Sequence, residues 1–253
     1  MLVMSNRGVK SWGWQRKGNC NEKSFFDLHQ IFLSLFTLYP FYLMDIIHSD
    51  INNYLDNLLP ERPRVMQEME KLAKDRSFPI IGPQVGRILY QYTKLIGARR
   101  IFELGSGFGY SAYWFALALP EDGKVICTEA ASNNIDMAED YLKAAGLLHK
   151  VEFKKGDAIK ILSQTEGPFD IILNDVDKDD YPRALEVAVP KLRVGGLLIT
   201  DNALWHGRIV NNPQPDVYTR GVLEYNQLVI SAENLWTTIL PVRDGLAVSL
   251  KLD

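Results

Sequence analysis

The stretch RIFELGSGFGYSAYWFA, Arg100 to Ala116, constrains this chain more than any other. Arg100 to Leu104 reads as a short buried strand. Gly105, Ser106, Gly107, Phe108 and Gly109 read as a turn, and Ser111 onward as a helix that opens on a capping hydroxyl. Glycines in that turn allow positive φ angles and let a small molecule lie against bare backbone. The helix that follows presents free N–H groups and a positive dipole end, so an anionic group is expected there.

Spacing narrows the ligand. A dinucleotide fingerprint is G-x-G-x-x-G, whereas this loop is G-x-G-x-G with Glu103 two places before its first glycine. The pattern resembles motif I of the class I S-adenosylmethionine (SAM)-dependent methyltransferases. Lys124 to Thr128 is the next apolar strand, preceded by the turn residues Glu121, Asp122 and Gly123. It ends in Glu129, about twenty residues beyond the loop, where an acidic side chain can take both ribose hydroxyls. Gly156, Asp157 and Ala158 again follow a strand. There the Asp157 carboxylate either accepts from an adenine amino group or caps the next helix.

Helical periodicity runs from Ile46 to Leu59 and from Pro63 to Arg76, with Pro60 and Pro63 between them. Phe78 to Gly86 reads as a loop placed to cover a ligand, followed by a helix from Val85 to Ile96. After Glu129 come a helix, Asn133 to Ala145, and strands at Val151 to Lys155, Phe169 to Leu173 and Val194 to Thr200. Glu233 to Leu240 and Leu246 to Leu252 read as an antiparallel pair that closes the sheet. Strands alternating with helices imply an α/β, doubly wound, Rossmann-like sheet whose ligands lie at the carboxyl ends of the strands.

Asp175 follows the fourth strand, and Asp201 and Asn202 follow the fifth. Two carboxylates and an amide oxygen are hard donors, suited to Mg²⁺, Mn²⁺ or Ca²⁺. Together with the glycine loop they carry a resemblance to the cation-dependent catechol and caffeoyl-CoA type O-methyltransferases, over roughly Ile46 to Asp253. Its carriers are ELGSGFGYSA, Glu129, GDA, NDVDKDDY (Asn174 to Tyr181), DNALWHG (Asp201 to Gly207) and PVRDGLAVSL (Pro241 to Leu250). The resemblance implies a seven-stranded methyltransferase sheet with its last strand antiparallel and SAM over Gly105, Gly107 and Gly109. It also implies Tyr110 and Ser111 beside the methionine portion, the cation on Asp175, Asp201 and Asn202, Lys178 near the acceptor hydroxyl, and a homodimer.

On that resemblance a catechol-like phenol chelates the cation, which lowers the hydroxyl pKa. Lys178 takes the proton as a neutral amine, a form favoured by a nearby cation and partial burial. Trp205, His206, Arg208, Tyr218 and Arg220 follow the last metal ligand, where acceptor contacts are expected. Asn174 stands where plant members usually have an apolar residue, so the acceptor wall need not match any one relative.

Two other functions are compatible with parts of the sequence. A hydroxylated tRNA base would need a basic surface, to which Lys154, Lys155, Lys160, Arg208 and Arg220 would contribute, yet no basic run with interleaved aromatics occurs. A non-catalytic SAM- or nucleotide-binding module of the same fold would not need the chelating set with Lys178.

Composition bounds the remainder. With 47% hydrophobic and 23% charged residues the chain can bury one sizeable core, and its net charge of −3 offers no general attraction to nucleic acid or anionic lipid. Cys20 and Cys127 suggest neither a disulfide framework nor a thiolate metal cluster, which fits a cytoplasmic protein. Residues 1–43 differ from the rest of the chain: basic residues precede an uncharged stretch, Leu28 to Met44, that contains Pro40 and is short for a membrane span. The expectation is an extension over 1–43, read either as a weak anchor or as residues ahead of a natural start at Met44, and a methyltransferase domain over 44–253.

Overall fold

The computed structural model describes residues 45–253, so the expected extension over 1–43 lies outside the described residues. Three helices lead in: α1 (Ser49–Leu58), α2 (Arg64–Arg76) and α3 (Gly82–Leu95). The alternating part follows as β1 (Arg100–Leu104), α4 (Tyr110–Ala118), β2 (Lys124–Glu129), α5 (Ser132–Ala144), β3 (Val151–Lys155), α6 (Ala158–Gln164), β4 (Phe169–Asn174), α7 (Tyr181–Ala188) and β5 (Leu192–Thr200). The chain ends with α8 (Val217–Ser231), β6 (Leu235–Leu240) and β7 (Leu246–Lys251). Among the described residues no helix is long and apolar enough to cross a membrane.

The seven strands form one sheet in the order β3-β2-β1-β4-β5-β7-β6. Neighbours from β3 to β5 pair in parallel, and β7 runs antiparallel to both β5 and β6. The late pair is antiparallel as expected and forms one edge of the sheet, with the last strand inserted between β5 and β6. Strand order reverses between β1 and β4, and such a switch point opens a crevice beyond the strand ends.

Alternation along the strands assigns each face its own core. Ile101, Ile171, Leu173 and Ile199 pack with Met66, Met69, Val85, Leu89 and Leu142 of α2, α3 and α5. Phe102, Leu104, Ile172 and Leu198 pack on the other face with Leu162, Leu185, Val222 and Tyr225 of α6, α7 and α8. The helix α4 is buried on nearly every side. That explains why its sequence, YSAYWFALA, has no polar face.

Of the boundaries that move, two bear on the site. The helix α3 begins at Gly82 rather than Val85, because Pro83 fits a first turn, where its missing N–H is not needed. The covering loop shortens accordingly. The helix α4 begins at Tyr110 behind Gly109, whose φ is 83°, and no side chain caps it. Ser111 is thus not a cap: its hydroxyl donates to Glu103 Oε1, the buried carboxylate beneath it.

Candidate active site

A cavity of about 900 Å³ opens over the carboxyl ends of β1, β2, β3, β4 and β5. Its floor is the glycine turn. Gly105 has φ 82°, and a Cβ there would come within 2.6 Å of the Asp175 carbonyl oxygen, so the loops after β1 and β4 touch backbone to backbone. Asp175 N–H donates to the Leu104 carbonyl at 3.0 Å and locks that contact. One wall is Phe78, Pro79, Ile80 and Ile81, the segment expected to cover a ligand. Arg243 holds this wall to the β6–β7 turn, donating from Nη1 to the Ile80 carbonyl at 2.6 Å.

At the far end of the cavity, Asn174 of β4 pairs in register with Thr200 of β5, so Asp175 and Asp201 leave neighbouring strands side by side. Asn202 (φ 55°), Trp205 (φ 46°), His206 (φ 52°) and Arg243 (φ 51°) all line the cavity in left-handed backbone. Conformations this costly persist where the surrounding structure fixes them, as at ligand sites.

A sequence model described as O-methyltransferase matches residues 57–252. The chain belongs to the O-methyltransferase family. Caffeoyl-CoA O-methyltransferase 2 of Petunia hybrida is 31% identical over 210 residues, covering 78% of this chain and 87% of that protein. The O-methyltransferase from Bacillus cereus, solved in complex with SAH, is 27% identical with a TM-score of 0.73, covering 80% of this chain and 97% of its own. TomG from Streptomyces achromogenes, an O-methyltransferase involved in tomaymycin synthesis and solved with SAM, is 26% identical with a TM-score of 0.74, covering 81% and 96%. This protein is a SAM-dependent O-methyltransferase.

The residues of the methyltransferase cavity fit that cofactor. Gly105, Gly107, Tyr110, Ser111, Glu129, Asp157, Ala158 and Asp175 all line it. Ser106 Oγ is buried there with no hydrogen-bond partner among the described residues. Glu129 accepts the Ala131 N–H on Oε1 at 2.8 Å, which leaves its other oxygen for a ligand. Asp157 caps α6, accepting from Lys160 N–H on Oδ1 at 2.9 Å, and it lines the cavity as well. The two expected roles of Asp157 are therefore compatible.

Glu103 and Gly109 do not line the cavity. A side chain on Gly109 would run into Ala138 of α5, so this glycine serves packing. Glu103 lies fully buried under the turn, taking hydrogen bonds from Ser111 and from Cys127 Sγ at 3.2 Å. Burial pushes its carboxyl up to about 7, with Asp175 and Glu129 adding to the rise against those two hydrogen bonds. The unfolded carboxyl ionises near pH 4, so between about pH 4 and 7 the folded state holds the extra proton, and this group's contribution to stability falls as pH rises. Glu103→Gln cannot titrate. Its melting temperature is expected to gain on the native protein from about pH 5 to about pH 8, and thermal denaturation at both pH values checks this.

The strand-end acids form the second half of the site. Asp201 is 4% exposed, and its Oδ1 has no hydrogen-bond partner among the described residues. Burial and then the neighbouring Asp175 raise its carboxyl to about 7. Asp175 is raised too, by burial, although Lys178 and Arg243 oppose the rise. Asn202 donates from its amide nitrogen to Asp244 Oδ2 at 3.1 Å, which leaves its oxygen as the free end. No cluster of three His, Cys, Asp or Glu side chains forms among the described residues, so a cation here would rest on two carboxylates and an amide. That donor set, with a buried and unpaired carboxylate oxygen, fits a hard divalent cation.

Lys178 Nζ lies 3.0 Å from Asp175 Oδ1, donates to the Val176 carbonyl, and faces the rings of Tyr181 at 5.1 Å and Trp205 at 5.7 Å. Of the expected acceptor contacts, Trp205, His206 and Tyr218 reach the cavity, whereas Arg208 and Arg220 do not. Arg208 sits 5.5 Å from the Trp205 ring, and Arg220 donates to the Pro215 carbonyl. Arg243 and Asp244 also line the cavity, with no role expected from the sequence. Their only signal is the PVRDGL stretch itself, since nothing local says that this turn folds back over the β5 end.

Proposed function

We propose that this methyltransferase methylates one hydroxyl of a catechol-like, vicinal-diol phenol with a divalent cation held by Asp175, Asp201 and Asn202. The observation that carries the reading is the buried, unpartnered Asp201 oxygen beside the half-buried carboxylate of Asp175. Lys178 answers the Asp175 charge, and a cation between the two carboxylates would answer that of Asp201. Mg²⁺ is the first candidate, with Mn²⁺ or Ca²⁺ as alternatives. When bound, the cation would chelate the diol and acidify the hydroxyl.

Lys178 takes the acceptor proton; it shares Asp175 with the cation site, which places proton removal next to chelation. Gly105 and Gly107 let SAM approach the floor, with Tyr110 and Ser111 at its methionine portion, Glu129 at the ribose and Asp157 with Ala158 at the adenine. Trp205 walls the acceptor side with Arg208 behind it, while Arg220 has no part. Relatives named for caffeoyl-CoA support a small phenolic acceptor. A homodimer belongs to the same reading.

Transfer of labelled methyl from SAM to a panel of catechols, with Mg²⁺ and with a chelator, tests the proposal. Turnover is expected to vanish with the chelator, and turnover that survives it would remove the cation. Lys178→Met is expected to lower kcat by about 10²–10⁴-fold. Full turnover by that variant across the pH range would take the proton-acceptor role from Lys178.

A further inference from the structure

Tyr110 lines the cavity, and its hydroxyl reaches away from the glycine turn to another helix. Its neighbours behave differently: Ser111 bonds to Glu103 of the adjacent strand, and Ser106 Oγ has no partner among the described residues. The Tyr110 hydroxyl instead donates at 2.7 Å to Oε1 of Glu70, a residue of α2, which precedes the sheet altogether.

Glu70 is itself held in place. Arg62, just ahead of α2, grips it with both prongs, Nε to Oε1 at 2.6 Å and Nη2 to Oε2 at 2.8 Å. The two side chains are 25% and 19% exposed, so the pair is shielded enough for its geometry to be kept. On its other side the Tyr110 ring meets Trp114 edge-on at 6.5 Å, and Trp114 packs closely over Gly86 of α3. The first residue of the helix behind the glycine turn is thus held directly by α2, and through Trp114 of its own helix by α3.

We propose that Glu70 is a positioning residue for the cofactor: through the Tyr110 hydroxyl it sets the wall on which the methionine portion of SAM rests. The inference rests on the placement of Tyr110 beside that portion. It makes α2 part of the cofactor machinery. Tyr110 is only 2% exposed, so without Glu70 its phenol oxygen would need another acceptor, and the ring would shift to find one.

Calorimetric titration of S-adenosylhomocysteine into the full chain tests this without any methyl transfer. Tyr110→Phe and Glu70→Ala are each expected to weaken binding by about tenfold. The double variant should lose no more than either alone, since both break one link. Glu70→Gln, which keeps an acceptor oxygen, should restore most of the affinity. A purely structural ion pair would lower the melting temperature and leave the affinity alone, and that result overturns the proposal, as would additive losses. Tyr110→Phe removes one oxygen and keeps the ring, so it decides the matter even where Glu70→Ala folds poorly. Native binding with no catechol turnover would defeat the acceptor assignment above and leave Glu70 standing.

Discussion

Asp201→Asn is expected to lower methyl transfer to a catechol by about a thousandfold and to abolish any response to added Mg²⁺. The substitution keeps the shape of the side chain and removes the buried one of two neighbouring carboxylates. In the native protein burial and the neighbouring Asp175 charge raise the proton affinity of Asp201, whose Oδ1 oxygen has no protein donor among the described residues to offset its burial. Relieving that repulsion should leave the fold intact or slightly more stable, because an uncompensated buried charge is lost. Activity and stability are therefore expected to move in opposite directions. Initial rates over an Mg²⁺ titration, with a melting curve for the same variant, read both. Undiminished turnover with an unchanged Mg²⁺ response would remove Asp201 from the site.

Gly221→Ala is expected to destabilise the protein by roughly 2–3 kcal/mol and to lower kcat more than it raises KM for SAM. Elsewhere in a helix the change would help, since alanine is the better helix former by about 1 kcal/mol. Here a Cβ would collide with the Lys178 carbonyl oxygen and the Asp179 Cα. Both are backbone atoms, so no rotamer change relieves the contact. Either α8 withdraws, opening the core around Val222 and Tyr225, or the 178–180 turn moves and takes Lys178 from its place beside Asp175. Gly97→Ala is the control: its φ is positive, at 62°, but nothing lies within 4 Å of the added atom. That variant should lose only about 1 kcal/mol of backbone strain and keep its activity. Equal melting temperatures and rates for the two variants would show that the close approach at Gly221 carries no function.

Much of the site was legible because its residues sit in short local patterns. Gly105, Gly107, Glu129, Asp157, Asp175, Asp201 and Asn202 all follow the ends of apolar runs, and parallel strands deliver such residues to one edge. The same logic failed where a side chain's partner is distant in sequence. Ser111 looked like a helix cap because a hydroxyl near a helix start usually is one, but a carboxylate eight residues earlier claims it. Arg208 and Arg220 looked like acceptor contacts because they follow the last expected metal ligand, but the position of Arg208 over Trp205 and the turn at Pro215 hold them outside the cavity.

By itself the sequence determined the alternation of strands and helices, the bare glycine floor and the identity of the acids at the strand ends, since each depends on residues within a few positions of one another. Only the tertiary structure decided that β7 inserts between β5 and β6, which brings Arg243 and Asp244 to the cavity beside the strand-end acids. It alone assigned Gly221 to a backbone contact and Glu70 to the cofactor turn. Those outcomes depend on where segments separated by tens of residues come to rest. That is fixed by the packing of whole faces against the sheet, which no local pattern records.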